Sequence, residues 1–140
     1  MVSTTILPED DPDVIAVSWE EFDKGARDIA RQVARHAHDH HERFTNIYGL
    51  PRGGLPLAVR LSYLLGLPLV TAREHVSPST LVVDDSTVTG KTLKECCREH
   101  RNRSAVFVHK PDTSAFVPDF ISKTTTKQVN YPWEAVDDRN

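Results

Sequence analysis

Apolar residues along this chain recur with two different periods, and the switches between them predict most of its elements. From Ser18 onward, Trp19, Phe22, Ala26, Ile29, Val33 and Ala37 repeat at three and four, which is one buried stripe on a helix running to about residue 37. Ser18 followed by Glu21 is a capping box and fixes the start. Phe44 to Leu50 reads as a central strand, and Leu55 to Leu65 as a buried helix, apolar on nearly every face and closed by Gly66. Leu67 to Ala72 is the next strand, and Leu81 to Val83 a short apolar strand that ends in two carboxylates. A helix then opens at Gly90 and runs to about His100 with Leu93, Cys96 and Cys97 turned inward. Ala105 to His109 is a further strand. Val14 to Val17 suggests a short edge strand, and the tail beyond Phe116, Val117, Phe120 and Ile121 suggests one or two more over Thr124 to Val129. The Pro- and acid-rich residues 8–13 read as an exposed lead-in.

Strands alternating with helices over short links predict a single α/β domain across residues 1–140, a parallel twisted sheet flanked by helices. In such folds ligands sit beyond the carboxyl ends of the strands. Charge and composition then narrow the partners. The net charge of −3 gives no nucleic-acid-binding surface as a whole, and no apolar run is long enough to span a bilayer. The amino-terminal residues lack the layout of a signal peptide. Cys96 and Cys97 are neighbours in a helix, where successive side chains diverge, so they read as free thiols of a reducing compartment, by default the cytoplasm.

Candidate chemistry concentrates in Leu81-Val82-Val83-Asp84-Asp85-Ser86-Thr87-Val88-Thr89-Gly90-Lys91-Thr92-Leu93. Two adjacent acids can accept hydrogen bonds from vicinal hydroxyls and hold a hard cation. The turn from Ser86 to Thr92 can aim backbone N–H groups and hydroxyls at a phosphate. Gly90-Lys91-Thr92 has the ending of a Walker A loop, but that motif needs glycine where Asp85 stands. The plain structural alternative is a strand–turn–helix whose Asp and Ser residues serve as caps. Pro51-Arg52-Gly53-Gly54 follows the strand before it in the same way. Its glycines permit close backbone approach and Arg52 adds a charged fork, so it resembles a second anion loop. His36, His38, His40 and His41 form a compositional cluster without a third spaced metal ligand, and a solvated helix end accounts for them.

Both loops together resemble the type I phosphoribosyltransferases. Val82-Val83-Asp84-Asp85 with Thr89-Gly90-Lys91-Thr92 looks like their phosphoribosyl-pyrophosphate (PRPP) motif, and Arg52-Gly53-Gly54 sits where they keep a pyrophosphate loop. Val17-Ser18-Trp19, His109-Lys110-Pro111 and Tyr131-Pro132-Trp133-Glu134 extend the resemblance towards the bacterial and archaeal xanthine–guanine or hypoxanthine enzymes, over most of Val17 to Glu134. That likeness implies the family's fold, with a reduced lid and hood, and transfer of phosphoribosyl from PRPP to a 6-oxopurine in purine salvage. Asp84 and Asp85 would bind the ribose hydroxyls, with Asp85 also near Mg²⁺. Arg52, Gly53 and Gly54 would hold pyrophosphate, across a non-proline cis peptide of the kind this family often uses. Ser86, Thr87, Val88, Thr89, Gly90, Lys91 and Thr92 would cradle the 5′-phosphate. Lys110, Val129 and Trp133 would meet the base, and a homodimer or tetramer is implied.

Three departures from the family pattern bear on activity. Val88 stands where the purine enzymes usually carry an Asp that can act as general base, a contribution worth ~10² to 10⁴. Arg73 to Ser79 is too short for their mobile lid. Gln128 or its neighbours fall where an aromatic residue stacks on the purine, leaving Tyr131 or Trp133 to do so. The alternative function is a non-catalytic PRPP- or nucleotide-binding regulatory module of the same fold. A transferase for another acceptor, suggested by Ser86-Thr87-Val88, lacks a glutaminase half.

Overall fold

The computed structural model describes residues 12–134. Most of the lead-in 8–13 therefore lies outside the described residues; Pro12 and Asp13 are exposed. Helix α1 spans Trp19–His40, capped by Ser18 in the expected box: Glu21 N donates to Ser18 Oγ at 3.1 Å and Ser18 N to Glu21 Oε1 at 2.9 Å. It buries Phe22, Ala26, Ile29 and Val33 along the expected stripe. Trp19 is the exception at 59 % exposed, although its ring packs against Phe22 and Trp133. The helix does not fray at residue 37. It continues to His40 and stops at His41, whose φ of 52° is left-handed. His36 and His40 therefore share a face, with ring centroids 4.3 Å apart, and His36 Nε2 bonds Glu42 Oε1 at 2.7 Å. No group of three or more potential metal ligands among His, Cys, Asp and Glu occurs in the described residues.

Five parallel strands form the main sheet: β2 (Asn46–Gly49), β3 (Leu69–Val70), β4 (Thr80–Thr87), β5 (Ser104–His109) and β6 (Phe120–Thr124), in spatial order β3-β2-β4-β5-β6. The predicted centre was Phe44 to Leu50; the strand there is second from an edge, and β4 is the middle. Leu81, Val82 and Val83 of β4 and Val106 and Val108 of β5 are fully buried, as both faces of a parallel sheet are covered. β1 (Val14–Ala16) does not join this sheet. It pairs in parallel with β7 (Gln128–Asn130) in a separate two-stranded sheet, which carries the chain back over the carboxyl ends of the main strands.

Helix α2 (Leu55–Leu65) ends at Gly66, φ 68°, as predicted, yet it is buried on one face only. Leu57, Ala58 and Leu61 enter the core, while Leu55, Val59 and Tyr63, each four residues apart, form an exposed apolar stripe. Helix α3 is shorter than expected, Lys91–Cys97, and turn residues lead from it to β5. Cys96 and Cys97 are both buried and free, and burial pushes the Cys97 thiol up to about 12. No described helix is long and apolar enough to cross a membrane.

Candidate active site

The site grows out of the polar half of β4. Its first residues are core, so a regular extended backbone carries Asp84, Asp85 and Ser86 past the edge of the hydrophobic layer, where they are half-buried. The acids lie within the strand rather than at its end, since ladder pairing with β5 continues through Ser86↔Val108 and Thr87↔His109. The strand's own polar groups hold the two carboxylates. Asp85 N donates to Asp84 Oδ1 at 2.8 Å, and Ser86 N donates to Asp85 Oδ1 at 2.7 Å. Burial, and then the neighbouring Asp85 charge, push the Asp84 carboxyl up to about 7. A cation or a hydroxyl-rich ligand would relieve that repulsion.

The loop after β2 packs directly on these acids. Leu50 N donates to Val83 O at 2.9 Å and Gly54 N to Leu50 O at 2.8 Å, which folds residues 51–54 back against β4. Gly53 is so close that a Cβ there would lie 2.3 Å from Asp85 Oδ2. The peptide between Pro51 and Arg52 is cis. Arg52 is exposed and makes no side-chain hydrogen bond or ion pair with the described residues. It lines a cavity of about 700 Å³ with Gly53, Asp85, Trp133 and Glu134.

On the other side of the acids the chain turns through 88–92. Gly90 has φ 78°, a left-handed conformation that favours glycine, and a Cβ there would meet Ser114 Oγ at 2.6 Å and Phe116 Cβ at 2.8 Å. The 110–116 segment backs this turn: Ala115 N donates to Thr89 O at 3.0 Å and the Thr113 hydroxyl to Val88 O. A second cavity of about 330 Å³ is lined by Asp84, Asp85, Ser86 and the 88–92 turn, with Val129, Tyr131 and Glu134 opposite.

Of the residues singled out in the sequence, Asp84, Asp85, Arg52, Gly53, Ser86, Val88, Thr89, Gly90, Lys91, Thr92, Val129 and Trp133 line these two adjoining cavities. Gly54 and Thr87 lie behind them. Thr87 is 1 % exposed and its Oγ1 bonds His109 Nδ1 at 2.7 Å, which couples the ends of β4 and β5. Lys110 lines neither cavity; its Nζ donates to Lys127 O at 2.6 Å. The Trp133 ring is committed to an aromatic cluster, stacked on Tyr131 with centroids 4.7 Å apart and edge-on to Phe22 at 4.9 Å. Val88 is 49 % exposed at the rim.

Two participants escaped the sequence reading. The sequence pattern offers Tyr131 as a stacking ring within a motif, but its hydroxyl donates to Asp85 O at 3.0 Å and bonds Ser86 Oγ at 2.5 Å, clamping the acidic strand to the end of β7. Glu134 lines both cavities and accepts from Tyr131 N at 3.0 Å. Their signal was the Tyr131-Pro132-Trp133-Glu134 motif itself, where an aromatic hydroxyl precedes a short 3₁₀ turn over Pro132–Glu134 that ends in a carboxylate.

A parallel sheet with an acidic pair on its middle strand, a glycine loop pressed against that pair and a hydroxyl-rich turn beyond it defines the type I phosphoribosyltransferase fold, and this chain has it. Among solved structures it is similar to the purine phosphoribosyltransferase of Pyrococcus horikoshii (27 % identity, TM-score 0.73), with 91 % of this chain and 99 % of that one covered. The Helicobacter pylori xanthine-guanine-hypoxanthine phosphoribosyltransferase matches at 20 % identity and TM-score 0.72, covering 86 % and 92 %. A hypothetical protein from Neisseria gonorrhoeae with bound ppGpp matches at 18 % identity and TM-score 0.76, covering 89 % and 91 %. No protein-family model matches the sequence, and neither does any curated protein.

Proposed function

We propose that this protein transfers the 5-phosphoribosyl group of PRPP to a 6-oxopurine, releasing pyrophosphate, as a purine salvage enzyme. The observation that carries the proposal is the contact of Gly53 with the Asp85 carboxylate, which joins the two anion loops into one site around the acids. Asp84 and Asp85 accept hydrogen bonds from the ribose hydroxyls, the 88–92 turn receives the 5′-phosphate, and Arg52 with the Gly53 backbone faces the pyrophosphate, with Gly54 behind them. The bond from ribose C1 to the pyrophosphate oxygen breaks with its electron pair on that oxygen, and a base nitrogen bonds C1 and passes its proton to water or to the departing pyrophosphate. Arg52 and fixed N–H dipoles are placed where negative charge develops on the leaving group.

The donor set also fits magnesium. Two carboxylates suit a Mg²⁺ ion, which typically takes one or two protein carboxylates and completes its shell with substrate phosphate oxygens and water. Bound there through Asp85, with Asp84 beside it, Mg²⁺ would neutralise the departing pyrophosphate. Likeness to the Pyrococcus horikoshii and Helicobacter pylori enzymes supports the purine, and Lys110, Val129 and Trp133 are the residues we assign to it. The exposed stripe Leu55, Val59 and Tyr63 supports a homodimer or tetramer, and two buried free thiols support the cytoplasm.

A second reading has a specific observation behind it. Val88 presents an apolar side chain at the cavity rim where a proton acceptor is expected, which favours a PRPP- or nucleotide-binding regulatory module. A pyrophosphate-release assay with PRPP, Mg²⁺ and separate purine and pyrimidine bases separates the two. Release with a 6-oxopurine supports the enzyme; PRPP binding without release for any base supports the module.

A further inference from the structure

At the opposite end of the sheet from the acids, three links feed the amino ends of β2, β4 and β5, and they are knit together. Thr45 N donates to Ser79 O at 3.0 Å and the Thr45 and Ser79 hydroxyls lie 2.6 Å apart. Asn102, 6 % exposed, donates from Nδ2 to Ser77 O at 2.7 Å and Thr80 O at 2.9 Å. Between the links lies a cavity of about 580 Å³, within the usual range of small-molecule sites. Arg43, Arg101, Arg103, Ser77 and Ser79 supply its donors, and Glu42 its one carboxylate.

The charges there do not cancel. Glu42 is already claimed, accepting from Arg103 Nε at 3.0 Å and bonded to His36 Nε2 at 2.7 Å, and Arg103 also reaches Asp119 Oδ1 at 3.3 Å. Arg43 and Arg101 are exposed and have no carboxylate partner among the described residues, in a chain whose net charge is −3. Arg101 also has φ 54°, a left-handed backbone that an arginine rarely adopts. A position that suits glycine or asparagine thus carries a guanidinium at the cavity mouth. Two uncompensated guanidinium groups match one phosphate monoester, about −1.5 to −2 at pH 7, and their planar forks suit its oxygens. Phe44 and Pro78 supply an apolar wall, and the volume exceeds that of a lone anion.

We propose that this cavity binds the dianionic phosphate of a small organic phosphate, at a site separate from the 84–92 cradle. Because β4 runs from this cavity at Thr80 to the cradle at Thr87, a phosphate probe needs a site-resolved readout. Amide-resolved NMR of the ¹⁵N-labelled full chain, titrated at fixed ionic strength with inorganic phosphate and separately with ribose 5-phosphate, provides it. Saturable shifts are expected at Ser77, Ser79 and Arg101, with ribose 5-phosphate saturating at lower concentration than phosphate. Arg43→Gln with Arg101→Gln should weaken that saturation about tenfold per arginine, the size of one charge-assisted hydrogen bond, and leave the 88–92 shifts as in the parent. Arg43→Gln alone should show the roughly tenfold loss of one arginine without touching the left-handed residue. Shifts at 77–101 that do not saturate, or midpoints unchanged in the Gln variants, would overturn the site. Equal midpoints for the two probes would overturn the organic ligand.

Discussion

Gly53→Ala is the sharpest test of the proposed active site, because it perturbs geometry without removing a functional group. The added Cβ would stand 2.3 Å from Asp85 Oδ2 and 2.8 Å from Asp85 Cγ, so the carboxylate has to retreat by about 1 Å to regain ordinary contact. Gly53 does not have a left-handed φ, so alanine fits its backbone, and the substitution lowers unfolded-chain entropy, worth about 0.4–1 kcal/mol of stability. Against this stands the weakening of the Ser86 N to Asp85 Oδ1 bond as the carboxylate retreats, worth about 1 kcal/mol. The two nearly cancel, and Tm by circular dichroism should barely move. Catalysis should not escape so lightly: a displacement of ~1 Å in a positioned group costs on the order of 10²-fold. The assay is pyrophosphate release under saturating PRPP and Mg²⁺. Gly54→Ala is the contrast, since its Cβ would meet backbone atoms, Val83 O at 2.6 Å and Leu50 O at 2.8 Å, which cannot swing aside. That variant should lose about 1–3 kcal/mol of stability, as overpacked cores do. Parental turnover in Gly53→Ala would refute the claim that the Asp85 carboxylate and the glycine loop form one reacting site.

Asp84 should make stability depend on pH. Its folded pKa is raised to about 7, so the folded state holds a proton that the unfolded chain has released above about pH 4, and stability is lost as pH climbs from about 4 to about 7. Asp84→Asn should therefore gain stability over the parent through that window in urea titrations, with no gain at pH 3. Tyr131→Phe removes the donor to Asp85 O and the partner of Ser86, and should cost about 1–2 kcal/mol in urea denaturation while raising KM for PRPP. Lys110→Ala should broaden the base profile of pyrophosphate release, and an unchanged profile would remove Lys110 from base selection. Val88→Asp should raise turnover with a 6-oxopurine by up to ~10² to 10⁴ if proton removal limits the reaction, measured as kcat for pyrophosphate release.

Much of the fold was legible because its signals are local. The capping box fixed the start of α1, and Gly66 fixed the end of α2, through backbone groups that only nearby residues can satisfy. Strand boundaries were less so, because pairing partners set them. Leu67 to Ala72 looks like a full strand, yet only Leu69–Val70 pairs, since it is an edge whose sole neighbour is four-residue β2. Val14–Ala16 has no counterpart in the main sheet because β7, more than a hundred residues away, is what it pairs with. Within the site, the loops we assign to phosphate were visible as glycines and hydroxyls. The Tyr131 clamp was not, since a tyrosine's ring and hydroxyl give opposite signals and only the tertiary path of β7 decides between them.

The distribution of rigidity across the site bears on which of the two functional readings is stronger. The half of the site proposed to face phosphate and ribose is built on the middle strand and fixed by backbone contacts: Gly53 on Asp85, Leu50 N on Val83 O, Ala115 N on Thr89 O. Its groups need no rearrangement to meet charge, the condition under which electrostatic stabilisation is most effective. The half proposed to face the base rests on side chains from later segments, with Lys110 turned to Lys127 O and Trp133 held by Tyr131 and Phe22. Losing a general base removes a factor of ~10² to 10⁴, whereas preorganised charge stabilisation and proximity together supply far more of an enzyme's rate. On the proposed assignment the site keeps the larger contribution and lacks the smaller one, which favours a slow transferase over a sensor. The contact of Gly53 with Asp85, at the position proposed for pyrophosphate, is the geometry on which that preference rests.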